Sequence, residues 1–154
     1  MLVLWFCFIL QGMQEIVSKS FQETTETGRK LASQLTSGRT ICLFGNLGAG
    51  KTTFTQGFAS FFGVKRIISP TFVLQRSYEI KDSFIKYLHH IDLYRLAKKE
   101  EITSLGLSDF WHRKDTITII EWPEKILDIL PQDRIKITFE FLDEQTRKIV
   151  IKNG

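Results

Sequence analysis

The sequence predicts a single α/β domain: a mixed, mainly parallel sheet flanked by helices, with an antiparallel hairpin at its C-terminal end. Three observations carry that expectation. The glycine-rich stretch Gly45 to Thr53 (GNLGAGKTT) lies between an apolar, β-branched run and a helical pattern. A second apolar run, Thr116 to Ile120 (TITII), has the length and composition of a strand buried on both faces. Two alternating segments, RIKITFEF and RKIVIK, are separated only by LDEQT. Strands alternating with helices indicate an α/β sheet, and 154 residues are about one domain's worth of chain.

Taken in order, Glu15 to Phe21 alternates as an edge strand does. A helix follows over TTETGRKLASQLTSG, with Thr24 as candidate N-cap, Leu31 and Leu35 at helical spacing, and Gly38 as terminator. TICLF is a strand buried on both faces. After the glycine-rich loop, Phe54, Phe58, Phe61 and Phe62 mark the sheet-facing stripe of a helix ended by Gly63. The chain then turns at Ser69-Pro70 into a strand ending near Ile80, and "KDS" joins it to a second strand over FIKYLHHIDLYRL. Short helices are expected over Lys98 to Leu105 and Leu107 to Trp111, and another in PEKILDIL after the TITII strand. The domain is taken to begin at Met13. Residues 1–12, almost wholly apolar, are read as an extension from an upstream start codon, with a short anchor or an extra strand as the alternatives: they are too short to span a bilayer and lack a signal peptide's charged start.

Composition excludes several classes. Hydrophobic residues at 43% and charged residues at 25% are ordinary for a globular chain. A net charge of +4 with scattered basic pairs makes no nucleic-acid-binding face. Two cysteines, Cys7 and Cys42, lack metal-ligand spacing and point to neither disulfides nor zinc, which fits a reducing cytoplasm.

The loop matches G-x-x-x-x-G-K-[ST] in full at Gly45, Gly50, Lys51 and Thr52. Such a match arises by chance roughly once in a few hundred chains of this size, and its position between a strand and a helix is the required context. Glycines let backbone N–H groups close around phosphate oxygens, and the helix N-terminus adds partial positive charge. Lys51 supplies an ammonium to the outer phosphates, and the Thr52 hydroxyl is a Mg²⁺ ligand. The metal needs a second acidic group near the end of a neighbouring strand. Glu121, ending TITII, and Asp92, in HHIDLYR beside His90, are the candidates. Structural alternatives remain for both: Asp92 pairing with Arg95, and Glu121 capping WPEKIL.

Phosphate loops serve many classes. The chain has no Asn-Lys-x-Asp or Asp-x-x-Gly element for guanine nucleotides, no Leu-Ser-Gly-Gly signature, and too little length for a hexameric motor. A small-molecule kinase is the serious rival, yet Pro123 to Arg134 offers only Lys125 and Arg134 as lid cations. A nucleotide-dependent interaction module with negligible turnover also stays open.

In this order and spacing, LFGNLGAGKTTFTQGF, SPTFVLQRSY, HHIDLYRL, LGLSDF and IIEWPEK closely resemble the TsaE (YjeE) family, from about Gln14 to Ile151. These are bacterial ATPases of tRNA threonylcarbamoyladenosine biosynthesis. The resemblance implies a P-loop NTPase fold with ATP and Mg²⁺ as cofactors, and the TsaB–TsaD protein pair as partner. In that pair TsaD transfers threonylcarbamoyl to adenosine 37 of tRNAs reading codons that begin with A, so tRNA is met indirectly, through the pair. It implies ATP contacts from Gly45, Gly48, Ala49, Gly50, Lys51, Thr52 and Thr53, with base contacts around Gln22 and Thr146. Ser69, Pro70, Thr71 and Phe72 would form a nucleotide-sensitive switch, and Asp92 would be needed for hydrolysis. Glu121 would share Mg²⁺ with Thr52, and Trp122 would sit beside the site. Asn46 stands where the family often has Asp. With no evident catalytic glutamine or assigned arginine finger, the chain alone is expected to be a slow ATPase and a monomer or weak oligomer. Arg76 and Arg95 are the candidates to supply such an arginine in cis.

Overall fold

The computed structural model describes residues 12–68, 70, 74–96, 100–104 (for 103 and 104 the backbone alone) and 106–154. Strand β1 is Met13–Ser18, helix α1 Phe21–Gln34, β2 Thr40–Phe44 and helix α2 Lys51–Phe61. Strands β3 (Gln75–Glu79) and β4 (Tyr87–Asp92) follow, then a short helix α3 (Glu100–Ser104). Strand β5 is Thr116–Glu121, β6 Ile135–Phe141 and β7 Arg147–Asn153, with single 3-10 turns at Leu107–Phe110 and Pro123–Ile126.

All seven strands join one sheet in the order β1-β7-β6-β2-β5-β4-β3. The ladders β6/β2, β2/β5 and β5/β4 are parallel, while β1/β7, β7/β6 and β4/β3 are antiparallel. It follows that only β7 and β3 run against the rest, which is the mixed, mainly parallel sheet the sequence predicts. The C-terminal hairpin pairs Ile135 with Asn153 and Phe141 with Arg147. The central strands β2 and β5 are buried along nearly their whole length, as their unbroken apolar runs require.

Each sheet face carries its own apolar layer. Leu43, Ile117, Ile137 and Ile149 meet Leu31, Phe54 and Phe58 from α1 and α2 on one side. Cys42, Ile91 and Ile120 meet Ile102, Leu107, Trp111 and Ile126 from the short elements on the other. Burying each large side chain such as Phe54 or Phe58 contributes about 1.5–3 kcal/mol. The helices α1 and α2 approach closely because each presents a glycine to the other. A Cβ on Gly28 would collide with the Phe54 carbonyl oxygen, and one on Gly57 with that of Thr25.

Several local expectations are corrected. Helix α1 starts a turn earlier than a Thr24 cap would give. Ser20 is the N-cap: its Oγ accepts from Glu23 N at 3.1 Å, and the Glu23 carboxylate accepts from Lys19 N at 2.6 Å. Ser20 and Glu23 together hold the chain at the helix start, and β1 ends at Ser18. Gly38 does not terminate the helix, which stops at Gln34. Its N–H donates to Lys114 O at 2.6 Å, and carbonyls of Arg113 and Thr116 crowd the place of a Cβ. Of the phenylalanine stripe, Phe54 and Phe58 are fully buried, but Phe61 is 42% exposed and packs edge-on against Phe62. PEKILDIL makes one 3-10 turn rather than a helix, and Leu107 to Trp111 likewise. Among the described residues, no helix is long and apolar enough to cross a membrane.

Candidate functional site

The C-terminal ends of β2, β5 and β4 lie side by side, and the glycine-rich loop leaves the first of them. Register aligns Leu43 with Glu121 and Glu121 with Asp92 across adjacent strands. Two carboxylates separated by 29 positions in the chain thus stand together beside the loop (121 − 92 = 29).

Gly45, Gly48 and Gly50 have φ of 139°, 79° and 103°, in the region that favours glycine. At Gly50, the N-cap of α2, a Cβ would also stand 3.1 Å from Arg147 Cδ. The loop therefore wraps with its backbone open toward the helix N-terminus, a geometry suited to anionic oxygens. Ala49 is buried, and its N–H donates to Asn46 O at 3.2 Å.

Lys51 opens α2 with its ammonium folded back over the loop. Nζ donates to Gly45 O at 2.6 Å and Asn46 O at 2.9 Å, and lies 4.3 Å from the Trp122 ring centroid. Burial pushes its pKa below the ordinary lysine value, with the charges of Glu121, Glu124 and Asp92 pulling the other way. Trp122 has φ of 60°, unusual for a bulky side chain, and packs against Tyr94 with ring centroids 5.1 Å apart. Such local strain is typical where a side chain must be aimed at a site.

Thr52 Oγ1 donates to Glu121 Oε1 at 3.3 Å. The same oxygen receives His90 Nε2 at 2.9 Å in a pair that is almost completely buried. Glu121 therefore does not cap the following turn; its carboxylate points to the loop. Asp92 is 4% exposed, and its Oδ1 accepts from Tyr94 N at 2.9 Å.

These groups line a cleft of about 380 Å³ bounded by Gly48, Gly50, Lys51, Thr52, Asp92 and Glu121, with Arg95 at its wall. A second cleft of about 460 Å³ continues past Gly48, Gly50 and Thr53 toward Gln22, Gln145 and Arg147. Gly48, Gly50 and Thr53 line both clefts, which adjoin there along one groove. Gln22 lines it. Thr146 sits on the hairpin turn, its N–H donating to Asp143 Oδ1 at 2.8 Å, between two residues that line the groove. Of the expected switch, Pro70 is buried, while Ser69, Thr71 and Phe72 lie outside the described residues. Arg76 is on β3 and is not part of either cleft wall.

Two neighbours of the site were not assigned a role from sequence. His90 is visible there only as a flank of Asp92; its bond to Glu121 depends on the parallel register of β4 and β5. Arg147 is 8% exposed behind Gly50, with Nη1 3.5 Å from Thr24 Oγ1. A buried arginine beside a glycine-rich loop adds positive potential there, and a basic residue opening a β-strand gives no local hint of it.

The chemistry these residues permit is specific. A cradle of backbone N–H groups, one mobile ammonium and a Thr–Glu oxygen pair fit a polyphosphate with a divalent cation. The hydroxyl and carboxylate oxygens, being hard donors close enough to share one ion, suit Mg²⁺.

Comparison with known proteins agrees in extent and direction. The family model described as threonylcarbamoyl adenosine biosynthesis protein TsaE matches residues 18–149. A Bacillus subtilis protein named tRNA threonylcarbamoyladenosine biosynthesis protein TsaE is 36% identical over 129 residues, covering 83% of this chain and 78% of its own. A Rickettsia bellii protein of the same name is 35% identical over 141 residues, covering 90% and 94%. A Haemophilus influenzae one is 40% identical over 105 residues, covering 68% and 64%. Among solved structures, that of Bacillus subtilis YdiB superposes with a TM-score of 0.76 at 30% identity, covering 92% of this chain and 85% of that one. Matched along most of its length by the family model and by relatives above 30% identity, the chain belongs to the TsaE family.

Proposed function

We propose that this chain is a P-loop ATPase that binds and hydrolyses Mg-ATP in the synthesis of threonylcarbamoyladenosine at position 37 of tRNAs reading codons that begin with A. It does so with the TsaB–TsaD pair, meets tRNA through that pair, and works in the cytoplasm. The names of its relatives support the pathway. The observation that carries the chemistry is the Thr52–Glu121 contact of 3.3 Å at the mouth of a loop whose lysine already faces inward.

In this reading the loop N–H groups and the N-terminus of α2 hold the phosphates. Lys51 would exchange its two carbonyl acceptors for phosphate oxygens, and Thr52 with Glu121 would hold the metal. Bound Mg²⁺ supplies charge neutralisation on the outer phosphates and orients them. Asp92, whose Oδ1 accepts from Tyr94 N, would orient a water near the terminal phosphate. Gln22 and the hairpin around Thr146 enclose the base. Arg95 is the arginine at the cleft wall, and no glutamine lines the Lys51 side of the groove among the described residues. An arginine completing such a site is worth 10³ to 10⁵ in rate, about 4–7 kcal/mol of barrier. With no arginine assigned to that role, turnover is expected to be slow alone and to rise when the partner pair reorders the site.

A phosphotransferase acting on a metabolite is disfavoured by the poor lid material between Pro123 and Arg134. Lys125 Nζ is tied to Tyr94 O and Leu96 O, at 2.6 and 3.0 Å, and Arg134 Nη1 to Pro131 O at 2.6 Å. Both cations are engaged with nearby backbone rather than extended over the cleft.

ATPase assays with and without the partner pair test this reading, comparing wild type with Lys51→Ala and Glu121→Ala. Turnover should rise with the pair. Lys51→Ala should lose nucleotide affinity, and Glu121→Ala should lose mainly Mg-dependent turnover. Unchanged turnover in both variants would overturn the site assignment.

A further inference from the structure

The buried pair between His90 and Glu121 is not explained by packing. His90 is wholly buried on β4, and its Nε2 lies 2.9 Å from Glu121 Oε1 on β5. Its other nitrogen, Nδ1, is buried with no hydrogen-bond partner among the described residues. Burying a half-satisfied imidazole is unfavourable, whereas an apolar side chain there would continue the neighbouring core at no such cost. The carboxylate it touches is also nearly buried and also receives the Thr52 hydroxyl, on the same oxygen. One oxygen of Glu121 is thus fixed from two sides, by a rigid ring from below and by the start of α2 from above.

We propose that His90 is a positioning residue for the metal: by donating Nε2–H to Glu121 Oε1, it holds that carboxylate turned toward Thr52, so the two ligands meet a divalent cation already oriented. The proposal rests on the reading of Thr52 and Glu121 as the metal-binding pair. With the ring as donor, the carboxylate keeps its negative charge and loses rotational freedom, which raises affinity by lowering the ordering cost of binding. In the absence of that donor, only the 3.3 Å contact with the Thr52 hydroxyl would hold the buried Glu121 carboxylate, and the cation would have to complete its ordering.

The test uses the full chain and reads binding rather than turnover. The Trp122 ring beside Lys51 reports occupancy by fluorescence. A non-hydrolysable ATP analogue is titrated in excess magnesium and in EDTA, for wild type, His90→Leu, His90→Gln and His90→Asn. The glutamine amide reaches the place of Nε2, whereas the asparagine amide stops short of it. Removing a group that holds a metal ligand in place costs about 10–100-fold in metal affinity. Wild type should bind more tightly with magnesium, and His90→Leu and His90→Asn should lose that increment while binding in EDTA stays unchanged. His90→Gln should recover most of it. If His90→Leu fails to fold, the contrast of His90→Gln with His90→Asn carries the test. A full magnesium increment in folded His90→Leu or His90→Asn would overturn the proposal and leave the metal pair standing. A wild-type chain that binds nucleotide without any magnesium dependence would overturn the metal pair itself, and this proposal with it.

Discussion

Lys51 and Cys42 are buried within ten positions of each other, yet rising pH drives their contributions in opposite directions. Burial lowers the Lys51 pKa from 10.5. Below its folded pKa the ammonium is charged in both states and its burial opposes folding. As pH climbs from there toward 10.5, the native state gives up the proton first, so stability rises. Burial raises the Cys42 thiol from 9.0 to about 12. Below pH 9 it is protonated in both states; above it, only the unfolded chain ionises, and stability falls. For Cys42 that loss is about 1.4 kcal/mol by pH 10. Urea unfolding of wild type and Cys42→Ala at pH 8 and pH 10 checks this: the stability difference should shift toward the variant by about that amount at the higher pH. An unchanged difference would mean the thiol is not held as described. At this scale the glycines of the loop, Lys51 and Thr52 were legible as a phosphate-loop pattern, because the spacing lies within nine consecutive residues. The partnership of His90 with Glu121 was not, since it spans 31 positions and exists only through strand register.

At the scale of elements, continuous apolar runs marked β2 and β5 correctly because burial on both faces leaves no other composition. Element ends were less readable. Ser20-x-x-Glu23 competes with Thr24 as a helix start, and reciprocal capping decides for the former. PEKILDIL has helical composition but stops after one 3-10 turn, tethered by Lys125 to the segment after β4. The contact of α1 with α2 was invisible, because Gly28 and Gly57 read as weak helix formers until each is seen against the other's backbone. Here the sign of a common substitution reverses. Alanine in a helix interior normally gains up to about 1 kcal/mol over glycine, but at Gly57 its methyl meets the Thr25 carbonyl. Gly57→Ala should destabilise the chain by about 1–3 kcal/mol, the usual cost of overpacking, measured as a lower urea midpoint. Since α2 carries Lys51 and Thr52, its displacement should also weaken nucleotide binding. A stabilised variant would show that the helices are not in the contact described.

For the whole molecule, sheet order does the functional work. The strand that feeds the loop is placed between β5 and β6, so Glu121 and, one strand further, Asp92 arrive at the loop without either lying near it in sequence. The antiparallel hairpin then brings Arg147 and the turn around Thr146 to the far side of the same loop. The broad architecture was legible from alternating strand and helix patterns, whereas the joining of two clefts into one groove follows from topology alone. In the proposed function, turnover at this site serves a partner assembly. Mass spectrometry of threonylcarbamoyladenosine in tRNA tests it most directly, in cells whose only copy of this protein is wild type or Glu121→Ala at equal abundance. The account predicts a marked fall of the modified nucleoside in the variant. Wild-type levels in Glu121→Ala cells would contradict it.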